Sequence, residues 1–244
     1  MSDCANEIAD ITILMPVWKR SEFLPLVVMN LKSQNYPHEH LRLIIDDDTA
    51  FTDERFIKTD EILNQFKEAL HPIKVEYITG KPRRSIGKKR NDLIKACETK
   101  TFMFFDSDDV YLPTAISYSY SVLKQNKSGC VGSDKMIFCM YDNDFSVHAI
   151  DCGNTKRLIH EATIMATKKW FRASCKFSDG SRGEGANIFT GYESKVGITD
   201  VSKVMLCVQH GGNTIDKLQF AKDENKINIE ISDELKDILK SILR

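Results

Sequence analysis

Residues 101–113 read TFMFFDSDDVYLP, and their order sets the class of fold. An aromatic apolar run, Phe102, Met103, Phe104 and Phe105, stops abruptly at the carboxylates Asp106, Asp108 and Asp109. Runs of this kind are buried strands of a mostly parallel sheet. Carboxylates crowded at a strand's end repel one another unless a cation or donor neutralises them. Ligands of open α/β sheets bind outside the carboxyl ends of the strands. The stretch therefore points to a divalent cation and a phosphorylated ligand. An acidic turn in which Asp109 caps the next segment is the plainer alternative.

The same pattern recurs towards the N-terminus. Residues 11–15 (ITILM) read as a first strand ending at Pro16, and residues 41–45 (LRLII) as a second that runs into Asp46, Asp47 and Asp48. Ser21 is placed to cap a helix carrying Leu24, Val27, Val28 and Leu31 at helical spacing. A helix over 53–70, a strand over 73–78, a basic segment over 80–89 and a helix over 90–97 complete the approach to the acidic stretch. This βαβαβαβ order over 11–109 argues for a parallel sheet of nucleotide-binding type. After a helix over 114–125 the texture changes: residues 129–170 alternate polar and apolar in short pieces, as antiparallel strands do. Residues 176–187 (KFSDGSRGEGAN) read as an exposed glycine-rich loop, and residues 204–208 (VMLCV) as a last buried strand. Near the end, Leu235, Ile238, Leu239, Ile242 and Leu243 share one helical face, with Ser232 as its cap and Arg244 at its C-terminal end.

Charge and cysteine usage narrow the classes. With 34 basic and 35 acidic residues among 244, nothing argues for nucleic acid or an anionic membrane as a bulk partner. Seven scattered cysteines, with no CxxC pair, fit reduced thiols rather than a disulfide framework or a zinc site. The polar start MSDCANEIAD and the lack of a membrane-length apolar run lead to the expectation of a cytoplasmic chain without a transmembrane segment.

Taken in order, ITILMPVWKR, LIIDDDT, SIGKKRNDLIKA, FFDSDDVYLP, RGEG and VQHGGNT resemble the GT-A-fold glycosyltransferases of family 2, over residues 10–214. The resemblance implies an α/β fold of GT-A type, with a mostly parallel nucleotide-binding sheet flanked by helices and a smaller mixed or antiparallel acceptor half. Its divisions are a nucleotide-sugar half over 1–128, an acceptor and catalytic half over 129–214, and a tail over 215–244. The implied reaction moves a sugar from a nucleoside-diphosphate sugar, a UDP-sugar by expectation, to a hydroxyl of a glycan, glycoprotein or other acceptor, with inversion.

Residue by residue, the resemblance assigns Pro16, Val17 and Asp47 to the base and ribose, Asp47 accepting the uracil N–H; a solvated turn is the alternative. Asp48 stands where the family often has glycine. Gly87 and Arg90 belong to a basic loop-helix element along the nucleotide, whereas Arg83, Arg84, Lys88 and Lys89 read as a solvated cationic face. Asp106-Ser107-Asp108 has the DxD form that holds Mn²⁺ or Mg²⁺ against a diphosphate. Asp108 and Asp109 are the expected metal contacts, with Asp106 on the ribose or around the metal. His210 is expected either as a metal or diphosphate contact or as a structural histidine. Glu184, in Arg182-Gly183-Glu184-Gly185, is the expected general base, with Asp179 its competitor. The family pattern places a second acid where Gly185 stands. Glu161 reads either as an acceptor-site residue or as an ordinary strand-edge acid. His38, His40, His71 and His148 read as surface or structural.

Two other classes compete. A sugar nucleotidyltransferase would carry a glycine-rich loop after the first strand, but MPVWKR (15–20) has no glycine. A non-catalytic carbohydrate-binding or scaffold module on the same fold is disfavoured by the retained acids. The C-terminal helix must cover its apolar stripe against its own core, against a second copy in self-association, or against a membrane surface.

Overall fold

A computed structural model describes residues 8–51, 53–141, 144–152, 159–174, 176–181, 183–185, 187–191, 195–211, 213 and 221–243. Cys4, Cys175, Arg182, Gly212, Thr214 and Arg244, which figure in the sequence reading, lie outside the described residues.

The first half alternates strand and helix: β1 (Ile11–Val17), α1 (Leu24–Lys32), β2 (Leu41–Asp47), α2 (Asp60–Leu70), β3 (Lys74–Ile78), α3 (Ile86–Ala96) and β4 (Thr101–Phe104). Then come β5 (Val110–Tyr111), α4 (Ala115–Asn126), β6 (Cys130–Gly132), β7 (Lys135–Met140), β8 (Ser146–Asp151), β9 (Met165–Thr167) and α5 (Lys168–Ala173). The remainder holds β10 (Val196–Ile198), β11 (Met205–Gln209), β12 (Lys226–Ile227) and α6 (Asp233–Ile242). Seven strands form one sheet in the order β10-β6-β9-β4-β1-β2-β3, parallel except where β9 runs against β4 and β6. A second sheet of order β12-β8-β7-β11-β5 is antiparallel except for the β7–β11 pair. This is the mixed α/β architecture that the apolar runs imply.

β1 and β4 are buried along their whole length, because helices or the second sheet cover both faces. Both β1 and β2 extend two residues beyond the expected ends, so Pro16 pairs with Asp46 and Val17 with Asp47 inside the sheet. Caps explain two shifted helices. Thr59 accepts from the Ile62 N–H and starts α2 at Asp60, not at 53; Ser85 accepts from the Lys88 N–H and starts α3 at Ile86, not at 90. Ser21 makes no cap: residues 21–23 form a 3₁₀ turn and α1 follows with Pro25 in its first turn. The four residues between β4 and β5, Phe105 excepted, are the acidic motif, which thus sits where the two sheets meet.

α6 settles the question of its stripe. Ser232 caps it by accepting from the Leu235 N–H, and Leu235 and Leu239 are buried in the main core, with Ile238, Ile242 and Leu243 packed against that core. The stripe is covered by the same chain. No helix among the described residues is long and apolar enough to cross a membrane.

Candidate active site

Beyond the carboxyl ends of β1 and β4 lies a cleft of about 300 Å³. Pro16 at the end of β1, and Trp18 and Arg20 from the turn after it, line the cleft together with Arg90, the acids 106, 108 and 109, Glu161, Glu184 and Asn213. A larger groove, about 1160 Å³, opens at the opposite end of the strands, around Asp10, Arg42 and Lys100. The acids that could do chemistry converge on the smaller cleft.

The aspartates ending β2 do not reach it. Asp47 is fully buried; its oxygens accept from the Thr49 N–H (2.9 Å), the Phe56 N–H (2.9 Å) and the Tyr77 hydroxyl (2.7 Å). Burial and the hydrogen bond to Asp47 push the Tyr77 phenol well above its usual range, so Tyr77 stays a donor. Asp47 therefore organises the loop after β2, its carboxylate accepting from Thr49, Phe56 and Tyr77 rather than lining the cleft. Asp46 pairs with Arg84 at 2.6 Å, and Asp48 with Lys89 at 2.8 Å and with the Arg84 N–H at 2.7 Å. The half-buried Arg84 and the buried Lys89, read in the sequence as part of a solvated face, are counterions of these acids. Burial lowers the Lys89 pKa although Asp48 opposes it, and Lys89 also donates to the Val17 carbonyl at 2.6 Å. Val17 turns its side chain into the core, so of these last two β1 residues Pro16 alone lines the cleft. Arg83 and Lys88 are exposed, Arg83 stacking on Trp18.

The DxD acids part company. Asp108 is at the rim, its Oδ2 accepting from Arg20 Nε at 3.1 Å and lying 3.2 Å from His210 Nε2. Asp109 turns back into the protein. Its Oδ1 accepts from the Val208 N–H (2.9 Å) and its carbonyl from Asn30 (2.8 Å). Asp109 is thus a strut between β11 and the motif that also lines the cleft. Asp106 accepts from Arg90 Nη2 at 3.2 and 3.3 Å, and its N–H donates to the Tyr111 hydroxyl. Arg20 carried no signal in the sequence beyond following the first strand closely.

Metal fit can be judged from the donors. Among the described residues no three His, Cys, Asp or Glu side chains are grouped to hold an ion. Asp108 and His210 offer two, one carboxylate and one imidazole. Small divalent cations commonly take one or two protein ligands and fill the rest with substrate phosphates and water. The pair fits an ion that arrives with a diphosphate, not a dedicated protein cage.

Arg90 ties the other wall together. Only 2% exposed, its guanidinium lies over the Phe104 ring, bonds Asp106, and stands with Nε 3.4 Å from Glu184 Oε1. Its resemblance-based role was a nucleotide contact; here it spans two carboxylates and borders the cleft. Gly87 has a different neighbour from the expected one. A Cβ there would come within 2.0 Å of the Ser178 carbonyl and 3.0 Å of Glu184 Cβ, and the Gly87 N–H donates to the Gly180 carbonyl. The glycine lets the backbone at Ser178 and Gly180 pack against α3. Phe177, Glu184 and Gly185 are consequently buried, so the glycine-rich stretch is not an exposed loop throughout. Asp179 is exposed and accepts from Ser85 at the α3 cap, away from the cleft lining. Glu161 does line the cleft, and its Oε1 accepts from the Gly185 N–H at 3.2 Å. Burial first, then the Glu184 charge, push the Glu161 carboxyl above its usual range, with Arg90 opposing.

Comparison with known proteins agrees with this architecture. TarS of S. aureus superposes with a TM-score of 0.62 over 82% of this chain and 37% of its own, at 13% identity. The mannosyltransferase PcManGT from Pyrobaculum calidifontis, solved with GDP-Man and Mn²⁺, gives 0.62 over 84% and 57%, at 14% identity. A poly(ribitol-phosphate) beta-glucosyltransferase of Bacillus spizizenii is 31% identical over 121 residues, which are 48% of this chain and 18% of that protein. The chain thus spans a minor part of the length of that relative and of full TarS. The sequence model of glycosyl transferase family 2 matches residues 12–184, well over half of the chain. The chain belongs to glycosyl transferase family 2.

Proposed function

We propose that this protein transfers a sugar, with inversion, from a nucleoside-diphosphate sugar to an acceptor hydroxyl, with a divalent cation bound at the Asp108 and His210 rim. The observation that supports it best is the one cleft where a rim acid paired with an imidazole faces the same space as the buried Glu184. UDP is the favoured nucleotide, because TarS has been solved with UDP-GlcNAc and with UDP. The B. spizizenii relative makes a polyol-phosphate polymer a reasonable acceptor to try first.

Each residue's part follows from its surroundings. Trp18, stacked with Arg83 at the cleft edge, offers an aromatic face to the donor. Asp108, His210 and Arg20 receive the diphosphate end, and bound Mn²⁺ or Mg²⁺ would offset charge gathering there as the glycosidic bond breaks. Arg90 holds Asp106 and Glu184 in place. Glu184 takes the proton of the attacking hydroxyl, a step worth typically ~10²–10⁴-fold in rate.

Calorimetric titration of UDP with Mn²⁺ tests the donor side. Asp108→Asn is expected to weaken Mn²⁺-assisted binding at least roughly tenfold, about 1.4 kcal/mol, with an unchanged urea midpoint. Parental affinity in that variant overturns the rim assignment.

A further inference from the structure

Gly185 leaves a gap beside Glu184, and Glu161 fills it. A Cβ built on Gly185 would stand 2.5 Å from Glu161 Oε1 and 2.7 Å from its Cγ. The Glu161 carboxylate therefore occupies the space that a side chain at 185 would need, held there by the Gly185 N–H. Glu161 belongs to the 3₁₀ turn Glu161–Thr163, which precedes β9 and is remote in sequence from Glu184. Both side chains line the same cleft.

The two carboxylates differ in their counterions. Arg90 Nε lies 3.4 Å from Glu184 Oε1, so Glu184 has a guanidinium beside it. No Lys, Arg or His among the described residues forms an ion pair with Glu161. The charged and titratable groups bearing on Glu161 are Glu184, Arg90 on α3, and the Cys152 thiol just beyond β8; His160 precedes it in the chain.

We propose that Glu161 is the second carboxylate of the acceptor site and shares with Glu184 the proton released by the acceptor hydroxyl. This rests on the transfer reaction proposed above. In the step, a lone pair of the hydroxyl oxygen forms the new bond to the anomeric carbon. The bond from that carbon to the diphosphate oxygen breaks, and its electron pair leaves with the diphosphate. The hydroxyl proton passes to the Glu161–Glu184 pair, which returns it to solvent after the product departs. Interacting acids of this kind titrate as a unit. Glu161, desolvated and beside the Glu184 charge, has the raised affinity that lets it take up the shared proton once Glu184 has received it from the hydroxyl.

Moving the carboxylate tests the idea. Glu161→Gln and Glu161→Ala are expected to lower kcat by ~10²-fold or more, with the donor KM within roughly twofold of the parent because neither acid touches the diphosphate. Gly185→Asp alone is impaired, since its side chain meets Glu161. The double variant Glu161→Ala/Gly185→Asp is expected to recover at least roughly tenfold over Glu161→Ala, about 1.4 kcal/mol of barrier. A purely structural Glu161 would not be rescued this way. Carboxylate ¹³C NMR supplies a readout independent of turnover: the Glu161 resonance titrates above ordinary glutamates in the parent and moves down in Glu184→Gln. Parental kcat in Glu161→Gln, or a double variant no better than Glu161→Ala, overturns the proposal. A parent that transfers no sugar yet shows the coupled titration locates the failure in the transfer reaction; a Glu161 resonance indifferent to Glu184→Gln overturns the pair itself.

Discussion

Asp47 carries a charge with no path to water and three donors pointed at it. An asparagine there keeps one acceptor oxygen but turns an amide N–H₂ towards groups that are themselves donors. Asp47→Asn should therefore cost about 1.5–3 kcal/mol, the usual worth of hydrogen bonds to a buried charge, read as a lowered urea midpoint. UDP affinity of the folded fraction should stay parental. A variant of normal stability that fails to bind UDP would return Asp47 to the nucleotide. Lys89 follows the same reasoning from the cationic side. Lys89→Met leaves Asp48 with Arg84 alone and strips the Val17 carbonyl of its donor. Breaking one side of such a buried pair costs about 3–5 kcal/mol, so the variant should be strongly destabilised.

Among the elements, α3 joins the two walls of the cleft. Its first two turns carry Gly87, Lys89 and Arg90, facing the Ser178 backbone, Asp48 and the DxD acid respectively. Gly87→Ala forces a methyl against the Ser178 carbonyl, a backbone atom that cannot step aside alone. Overpacking of this sort costs about 1–3 kcal/mol. Because the displaced segment carries Glu184, kcat should fall more than donor affinity does. Equal losses in both would mean that the segment does not serve the acceptor side. The last helix, α6, contributes stability, not chemistry. Leu239 is fully buried in the main core, and Leu239→Ala should lower stability by about 2–5 kcal/mol. Removal of residues 232–244 should do so more severely.

At the scale of the molecule, the active cleft lies on the seam between two sheets, and Asp109 is one of the bonds across it. Its side chain reaches the β11 backbone at Val208, while its carbonyl is held by Asn30 of α1, whose own amide oxygen accepts from the Tyr111 N–H of β5. Asp109→Asn should lower global stability by about 1.5–3 kcal/mol and loosen the whole seam. Asp108→Asn, one residue away at the rim, should leave thermal unfolding unchanged. Reversed stability effects in the two variants would contradict the division between strut and rim.

Burial on both faces is written directly into composition, so the strands of the large sheet could be read as apolar runs, and β1, β2 and β4 stand where those runs are. Caps were partly legible: Ser232 starts α6 as expected, but Thr59 starts α2 later than 53 and Ser85 starts α3 earlier than 90. The sequence also determined that acids crowd the strand ends. It could not determine which of them face the cleft, because each acid's partners come from distant parts of the chain. Asp47 meets Tyr77, Asp109 meets Val208, and Gly87 meets Ser178 only after the sheets have packed. Local periodicity reports burial, which every residue senses through its own side chain. The orientation of a carboxylate depends on which donor reaches it, and that is decided by tertiary packing alone.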